Sequence, residues 1–528
     1  MAAKELNPTQ ILVHEIARSK FNLLLSDSPN NQLDSLLHKL LGPSSAEEKC
    51  NHLEAYISCD ENNVMLRPDD YIIYIFGMEI GISRIEFINW LLQKDYDYSK
   101  WRNVISLFLE LGFPEVRGFL GAIIKSTYTD DNYKSKAAEM QLYCCDQNDL
   151  QYLLDNPLSN KYPPEPKLKP GPRKLRIAFT SEKFSTKYLS SQNIFLDTIF
   201  AGLPSNVEVW LFSLRDHNDK YTVPYRKNCH QFINLTHLEV EKSRSIIESA
   251  DIDIVVDIFG ATPFRYWRLF ENSIRVSLFD VDTFIKNYYH YSLEEENSFP
   301  AWKKKFTSLC SVPQQFFWPT PEPVSINLKT PSTTNKYITF GCFSRLIKIH
   351  PINYDTWTKL LNEVPKSKMA FSFIQLTSPL KYIILKEFKQ RGISSDRVIF
   401  FPKTDPKKHL TKYNTIDMVA DTFPIGSGFS ALDALWMGVP IVGLYKETDT
   451  AGNTIKALNI LGKEEWIAKN EREYIDICKK LASDQVYRRT LKSTLRQDVI
   501  KSDLMDGMKF SKNMYEGLQK IALDNSGR

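Results

Sequence analysis

Two hydrophobic periodicities divide the 528-residue chain. From about Leu6 to Leu154, apolar residues return at helical spacing, as in IEFINWLLQ and WRNVISLFLELGF, and few stretches alternate as a strand does. This predicts an all-α helical domain over residues 1–155. The segment DNPLSNKYPPEPKLKPGPRK then places six prolines between Pro157 and Pro172, a composition that favours extended polyproline geometry and predicts a linker over 156–173. Beyond it the period changes. LRIAF, VEVWLF, DIDIVVDIF and RVSLF are short apolar runs separated by helical stretches, and YITFGCF, MAFSFIQL, RVIFFP, IDMVADTF and VPIVGL form a second such series. That is the pattern of parallel sheets flanked by helices. The expected fold class is therefore α/β, with Rossmann-like lobes at 174–330 and 331–528, the terminal helices counted with the second.

Composition narrows the classes of function. With 43% hydrophobic and 25% charged residues the chain is ordinary globular material, and its net charge of +4 is too small for a broad nucleic-acid footprint, despite Lys-rich tracts such as AWKKKFTS. Eight cysteines occur without paired metal-ligand spacing, Cys144 and Cys145 being adjacent, so neither a zinc site nor a disulfide framework is indicated. The N-terminal MAAKELNPTQILVHEIARSKFNLLL carries acidic residues and lacks the apolar core of a signal peptide. No apolar run approaches the ~20 residues of a membrane span. The expectation is a cytoplasmic protein in a reducing compartment, with neither nucleic acid nor membrane as partner. No repeat of ~34 residues with the tetratricopeptide Trp-Leu-Gly-Tyr pattern recurs in the helical block.

In open parallel sheets ligands bind beyond the carboxyl ends of the strands. The richest such place is GSGFSALDALWMGVPIV, from Gly426, which follows the strand IDMVADTF and opens a helix. Glycines let a backbone approach a ligand, and the first amides of a helix favour an anion such as a diphosphate. Gly438 and Pro440 end that helix. A plain reading of the same residues makes Ser430 the N-cap and Asp433 a first-turn acid that suits the helix dipole. Lys348 follows the strand YITFGCF, and His409 opens a helix after RVIFFP, so both belong to the same end of the same lobe. FDVD, Phe279 to Asp282, has the Asp-x-Asp form that can share a divalent cation, but it lies in the other lobe and any two aspartates near a strand end would match. Neither a nucleophile elbow nor a Gly-Lys-Ser/Thr phosphate loop occurs.

Four stretches together resemble glycosyltransferase family 41, the protein O-GlcNAc transferases and bacterial adhesin N-glucosyltransferases. They are FGCFSRLIKIHPINYDTWTKLLNEVPKS, RGISSDRVIFFPKTDPKKHLTKY, DMVADTFPIGSGFSALDALWMGVPIVGLYKET and EEWIAKNEREYIDICKKLASD, in the family's order and spacing over roughly residues 336 to 500. The resemblance implies a GT-B architecture with a UDP-sugar, UDP-GlcNAc or UDP-glucose, as co-substrate and a protein or peptide as acceptor, without a metal or other cofactor. It puts Lys348 on the diphosphate as the catalytic cation, Gly428, Phe429 and Ser430 at the phosphate-facing helix start, Asp433 on the uridine ribose and His409 beside the nucleotide. Departures are Phe429 where threonine is usual, Pro406 in place of a uridine-contacting lysine and Gly452 in place of an arginine. In the first lobe the family's acceptor-side histidine is missing. Lys187 stands closest to its place, and Lys187, Asp257 and His290 remain candidates on the acceptor side.

Two rivals stay open at this level. Gly426-x-Gly428-x-x-Ala431 with Glu447 about twenty residues on satisfies a dinucleotide fingerprint, which would make the chain an oxidoreductase. A non-catalytic nucleotide-sugar or protein-binding module would keep Lys348 and Asp433 without turnover.

Overall fold

The computed structural model describes residues 43, 45–58 and 115–125 with isolated positions before 163, then 163–168, 173–181, 184, 197–214, 222–258, 268–278, 288–294, 303–304, 306–312, 324–372, 378–401, 408–445 and 453–526. The chain falls into two compact units, Met1–Leu107 and Phe108–Arg528. In the first, helix α1 (Ala46–Ser58) starts on a reciprocal cap: the Ser45 hydroxyl accepts from the Glu48 amide at 3.2 Å while the Glu48 carboxylate accepts from the Ser45 amide at 3.0 Å. The second unit opens with α2 (Glu115–Lys125), whose Leu120, Ile123 and Ile124 are buried.

Seven parallel strands form the first sheet: β1 (Leu175–Ser181), β2 (Val207–Ser213), β3 (Gln231–Asn234), β4 (Ile254–Ile258), β5 (Ile274–Leu278), β6 (Tyr291–Glu294) and β7 (Ser308–Ser311). They lie in the order β3-β2-β1-β4-β5-β6-β7, with α3 (Val240–Ala250) crossing between β3 and β4. The apolar runs expected as strands all form, and β3, β6 and β7 are additions that periodicity did not mark. Each is only four residues long.

The second sheet repeats the design with β8 (Thr339–Cys342), β9 (Lys368–Phe371), β10 (Val398–Phe400), β11 (Met418–Ala420), β12 (Ile441–Leu444) and β13 (Ile467–Ala468), ordered β10-β9-β8-β11-β12-β13 and parallel throughout. Its helices are α4 (Pro351–Glu363), α5 (Ser378–Gln390), α6 (Phe429–Trp436), α7 (Asn453–Ile460), α8 (Glu471–Ser483) and α9 (Gln485–Lys501). Strands β8, β9, β11 and β12 are buried almost throughout, because helices cover both faces of such a sheet. β8 and β11 pack so closely that a Cβ on Gly341 would come within 2.5 Å of the Ile416 side chain. Between these two strands the order reverses, and this is where a doubly wound sheet opens its crevice.

The last helix, α10 (Gly507–Asp524), does not stay with the lobe that precedes it. Asp506 caps it by accepting from the Lys509 amide at 2.8 Å. Its apolar residues Phe510, Met514, Leu518 and Ile521 recur at helical spacing and join one hydrophobic core with Ile177, Val209, Val256 and Val276 of the first sheet. Tyr515 donates to the Ile199 carbonyl at 2.8 Å, and Gly517 lets the helix settle where a Cβ would press on Leu293 and Val312. Counting the terminal helices with the second lobe thus fails for α10, whose one apolar face finds its partner on the first sheet.

The described part of the proline-rich stretch is docked as well. Pro163 offers its carbonyl to the Arg275 guanidinium at 3.0 Å, and the Leu168 amide bonds the Asn525 carbonyl at 3.0 Å just past α10. If α10 is part of the first lobe's core, Leu518→Ala lowers the stability of the chain by about 2–5 kcal/mol, as removal of a fully buried leucine does. Denaturant melts followed by circular dichroism measure it, and a change under half a kcal/mol would place α10 outside that core.

Candidate functional site

The loops after β8 and β11 meet at the reversal point of the second sheet. After Cys342 the chain passes Ser344 and makes one tight turn, Leu346–Lys348, before α4. His350 caps α4 reciprocally with Asn353, whose side-chain oxygen accepts from the His350 amide at 2.8 Å, and Pro351 occupies the first helical position. The second arm of Asn353 donates to the Phe423 carbonyl at 2.9 Å, so the cap that ends the Lys348 loop also grips the loop after β11. Lys348 then reaches across: its ammonium donates to the Gly426 carbonyl at 2.5 Å.

That second loop is built around Asp421, a residue for which sequence reasoning had no role. Its carboxylate accepts from the Thr422 amide at 2.8 Å, the Ser427 amide at 2.9 and 3.0 Å, the Ser427 hydroxyl at 2.5 Å and the Thr454 hydroxyl at 2.6 Å. Burial raises its pKa, while the bonds from Ser427 and Thr454 and the charge of Lys348 pull it back down. Because Ser427 gives its proton to Asp421, the 2.6 Å contact between the Ser344 and Ser427 hydroxyls has Ser344 as donor. The only sequence sign of Asp421 is its position, immediately after a strand and before the glycine corner. Nothing in the linear order announces Thr454.

The loop ends at Gly428, the N-cap of α6, which has no side chain with which to cap the helix. This corrects the plain reading, in which Ser430 was the cap and Asp433 stood in the first turn. Ser430 instead lies within the first turn, its carbonyl accepting from the Tyr413 hydroxyl at 3.0 Å, and Asp433 falls one turn further in. Among the described residues, a Cβ at Gly428 would meet only the Asn453 amide nitrogen, at 3.8 Å. At its far end α6 closes by a Schellman pattern, with Gly438 at φ +67° and the Val439 amide bonded to the Ala434 carbonyl at 2.9 Å. Eight residues separate the end of β11 from α6, and Gly426 and Gly428 both lie late in that span. A dinucleotide fingerprint puts its first glycine in a tight strand-to-helix turn, which this is not.

Asp433 and His409 face each other, Nε2 to Oδ2, at 3.9 Å. Around them Phe343 and Tyr413 meet edge to face at 4.7 Å between ring centroids, and His409 lies edge-on to Tyr413 at 5.8 Å. Burial pushes the Asp433 pKa up to about 7, although about a fifth of the side chain stays exposed. His409 is pushed down from its ordinary value by burial and by Lys412. The structure therefore brings Lys348, Gly428, Phe429, Ser430, Asp433 and His409 to one end of one sheet.

The first-lobe candidates fare differently. His290 is buried, its Nδ1 facing the Arg275 amide at 3.1 Å and its Nε2 near the Arg275 guanidinium and the Pro163 carbonyl. Burial and the Arg275 charge push its pKa down to about 3, and its contacts are those of a core histidine that anchors the proline-rich strap. Asp257, fully buried on β4, accepts from the Tyr289 hydroxyl at 2.7 Å. Lys187, FDVD, Pro406, Glu447 and Gly452 lie outside the described residues. Among the described residues no group of three metal-ligating side chains occurs, and no helix is long and apolar enough to cross a membrane.

Two parallel, doubly wound lobes in tandem, with the start of α6 and the Lys348 loop meeting at the crevice of the second, are of the GT-B class. A mutant O-GlcNAc transferase from Thermobaculum terrenum shares the fold with a TM-score of 0.71 at 19% identity, the match covering 94% of this chain and 98% of that one. Within the class, residues 325–514 match the model of glycosyl transferase family 41. A probable UDP-N-acetylglucosamine–peptide N-acetylglucosaminyltransferase SPINDLY from Solanum lycopersicum is 30% identical over 217 residues, 40% of this chain and 23% of that protein. The UDP-N-acetylglucosamine–peptide N-acetylglucosaminyltransferase of Caenorhabditis elegans is 28% identical over 188 residues, 35% of this chain and 16% of that protein. The chain thus spans about a quarter of the tomato relative's length.

A carboxyl whose folded pKa exceeds its unfolded value binds its proton more tightly when folded, so its ionisation opposes folding increasingly as pH rises from about 4 to about 7. Asp433→Asn removes that penalty. The variant gains roughly 1–3 kcal/mol over the ligand-free parent at pH 8 and nothing near pH 4. Thermal melts across that range measure the difference, and a gain independent of pH would show that Asp433 ionises normally.

Proposed function

We propose that the chain is an inverting, metal-independent glycosyltransferase that moves GlcNAc or a hexose from UDP-GlcNAc or UDP-glucose to a protein side chain, Ser or Thr before Asn. The observation that carries this reading is the 2.5 Å contact of the Lys348 ammonium with Gly426, in the loop that leads into the start of α6. A cation and a set of peptide dipoles are thereby aimed at one place, with the Asp433 carboxylate one turn along the helix.

In the proposed reaction the acceptor hydroxyl attacks the anomeric carbon from the face opposite the nucleotide. The bond from that carbon to the diphosphate oxygen breaks, its electron pair leaves with UDP, and the hydroxyl proton passes to solvent or to the departing phosphate. Negative charge grows on the diphosphate, so Lys348 and the amides of Phe429 and Ser430 stabilise it more in the transition state than in the ground state. The charge that a divalent cation would supply is here supplied by the lysine and the helix. Asp433 suits the ribose hydroxyls, and His409 with Phe343 and Tyr413 suits the base. The five described free cysteines, four of them buried, support a reducing, cytoplasmic setting.

Incubation of the purified protein with a panel of UDP-sugars and candidate protein acceptors gives a hexose or N-acetylhexosamine mass increment on the acceptor. Lys348→Ala lowers the rate about a hundredfold, the usual cost of losing such a contact, with an unchanged circular dichroism spectrum. UDP binding without transfer or UDP-sugar hydrolysis would make the chain a nucleotide-sugar-binding module instead. Stabilisation by NAD(P) and none by UDP would favour the dinucleotide reading.

A further inference from the structure

We infer that Asp421 is the positioning residue for the diphosphate half of this site: it sets the loop that carries Gly426 to Gly428 and so aims the amides of α6 and the Lys348 ammonium at the same phosphates. The inference rests on the function proposed above and deepens it.

Asp421 is 1% exposed and holds the loop from behind. Each hydrogen-bond partner described for its carboxylate is a donor: the Thr422 and Ser427 amides and the Ser427 and Thr454 hydroxyls. Three separate segments are tied through it. Ser344, beyond β8, reaches it through the Ser427 hydroxyl; Ser427 belongs to the loop before α6; Thr454 lies in the first turn of α7. Thr454 also contacts the Ser427 carbonyl, at 3.4 Å. The backbone of Asp421 is fixed independently, since its carbonyl accepts from the buried Tyr474 hydroxyl at 3.0 Å.

A carboxylate answers this set of donors because it only accepts. An asparagine would turn an amide N–H toward Ser427 or Thr454, so one arm of the clamp would repel. The loop would then lose the register that places Gly426 under the Lys348 ammonium. The nucleoside end is held by the His409–Asp433 pair, the edge-on packing of His409 against Tyr413 and the bond from Tyr413 to the Ser430 carbonyl, and none of these three contacts passes through Asp421. Loss of Asp421 function is therefore specific to phosphate recognition.

Calorimetric titration with UDP and with uridine reads this difference directly. Asp421→Asn loses about thirtyfold or more in UDP affinity and less than about threefold in uridine affinity, at an unchanged circular dichroism spectrum. Thr454→Val, nearly isosteric and without the hydroxyl, loses about tenfold for UDP alone, and Thr454→Ser recovers most of that loss. The valine and serine pair decides the matter should the asparagine variant fail to fold. Variants that keep the parent's preference for UDP over uridine overturn the inference, as does an equal loss for both ligands, which would mean general collapse of the pocket. A parent protein that binds UDP no better than uridine overturns the site reading itself, and this inference with it.

Discussion

A carboxylate sealed inside a protein is stable only if its surroundings supply the hydrogen bonds that water supplied. Asp421 meets that demand by drawing in two amides and two hydroxyls, and the consequence is a loop with almost no freedom. The lysine contact and the placing of Gly426 to Gly428 ahead of α6 depend on where this loop lies. An exposed loop rich in glycine and serine would be mobile, whereas this one is fastened from behind and presents backbone at its front.

The fold supplies the other half of the arrangement. Strand order reverses between β8 and β11, so their following loops diverge to opposite faces and leave a crevice between them. Lys348 comes from one loop and the α6 start from the other. The close approach at Gly341 and Ile416 keeps the two strands together below the crevice. Helix α10 ends the chain on the first sheet, so a segment that follows the second lobe in sequence completes the core of the first. The two lobes are in this way parts of one folded unit.

In the first lobe, polar residues on and beside the sheet do structural duty. Lys303 and Glu294 form a buried ion pair at 3.1 Å, supported by Ser292 and, through it, Ser277. Asp257 is engaged by Tyr289, and His290 by Arg275 and the proline-rich strap. Buried charges with such partners are costly to disturb, because removing one leaves the other without compensation. These residue types attract attention in a sequence, yet their partners here are internal.

Local pattern was enough to reveal the strands of both sheets that are long or uniformly apolar, the end of α6 at Gly438, and the gathering of Lys348, His409 and Asp433 at one edge. Each of these follows from short-range chemistry: the period of apolar residues, the left-handed glycine, and the rule that parallel strands point their carboxyl ends one way. Position alone raised His290, whose ring the fold then spent on Arg275 and Pro163. Tertiary structure decided what depended on distant partners. The four-residue strands β3, β6 and β7, at or next to the edges of the first sheet, form because a neighbouring strand offers hydrogen bonds. Helix α10 chooses its sheet by the apolar surface left uncovered, and Asp421 acquires its role only when Ser427 and Thr454, 6 and 33 residues away along the chain, fold back onto it. Periodicity records which way a side chain faces; only the folded chain settles which donor it meets.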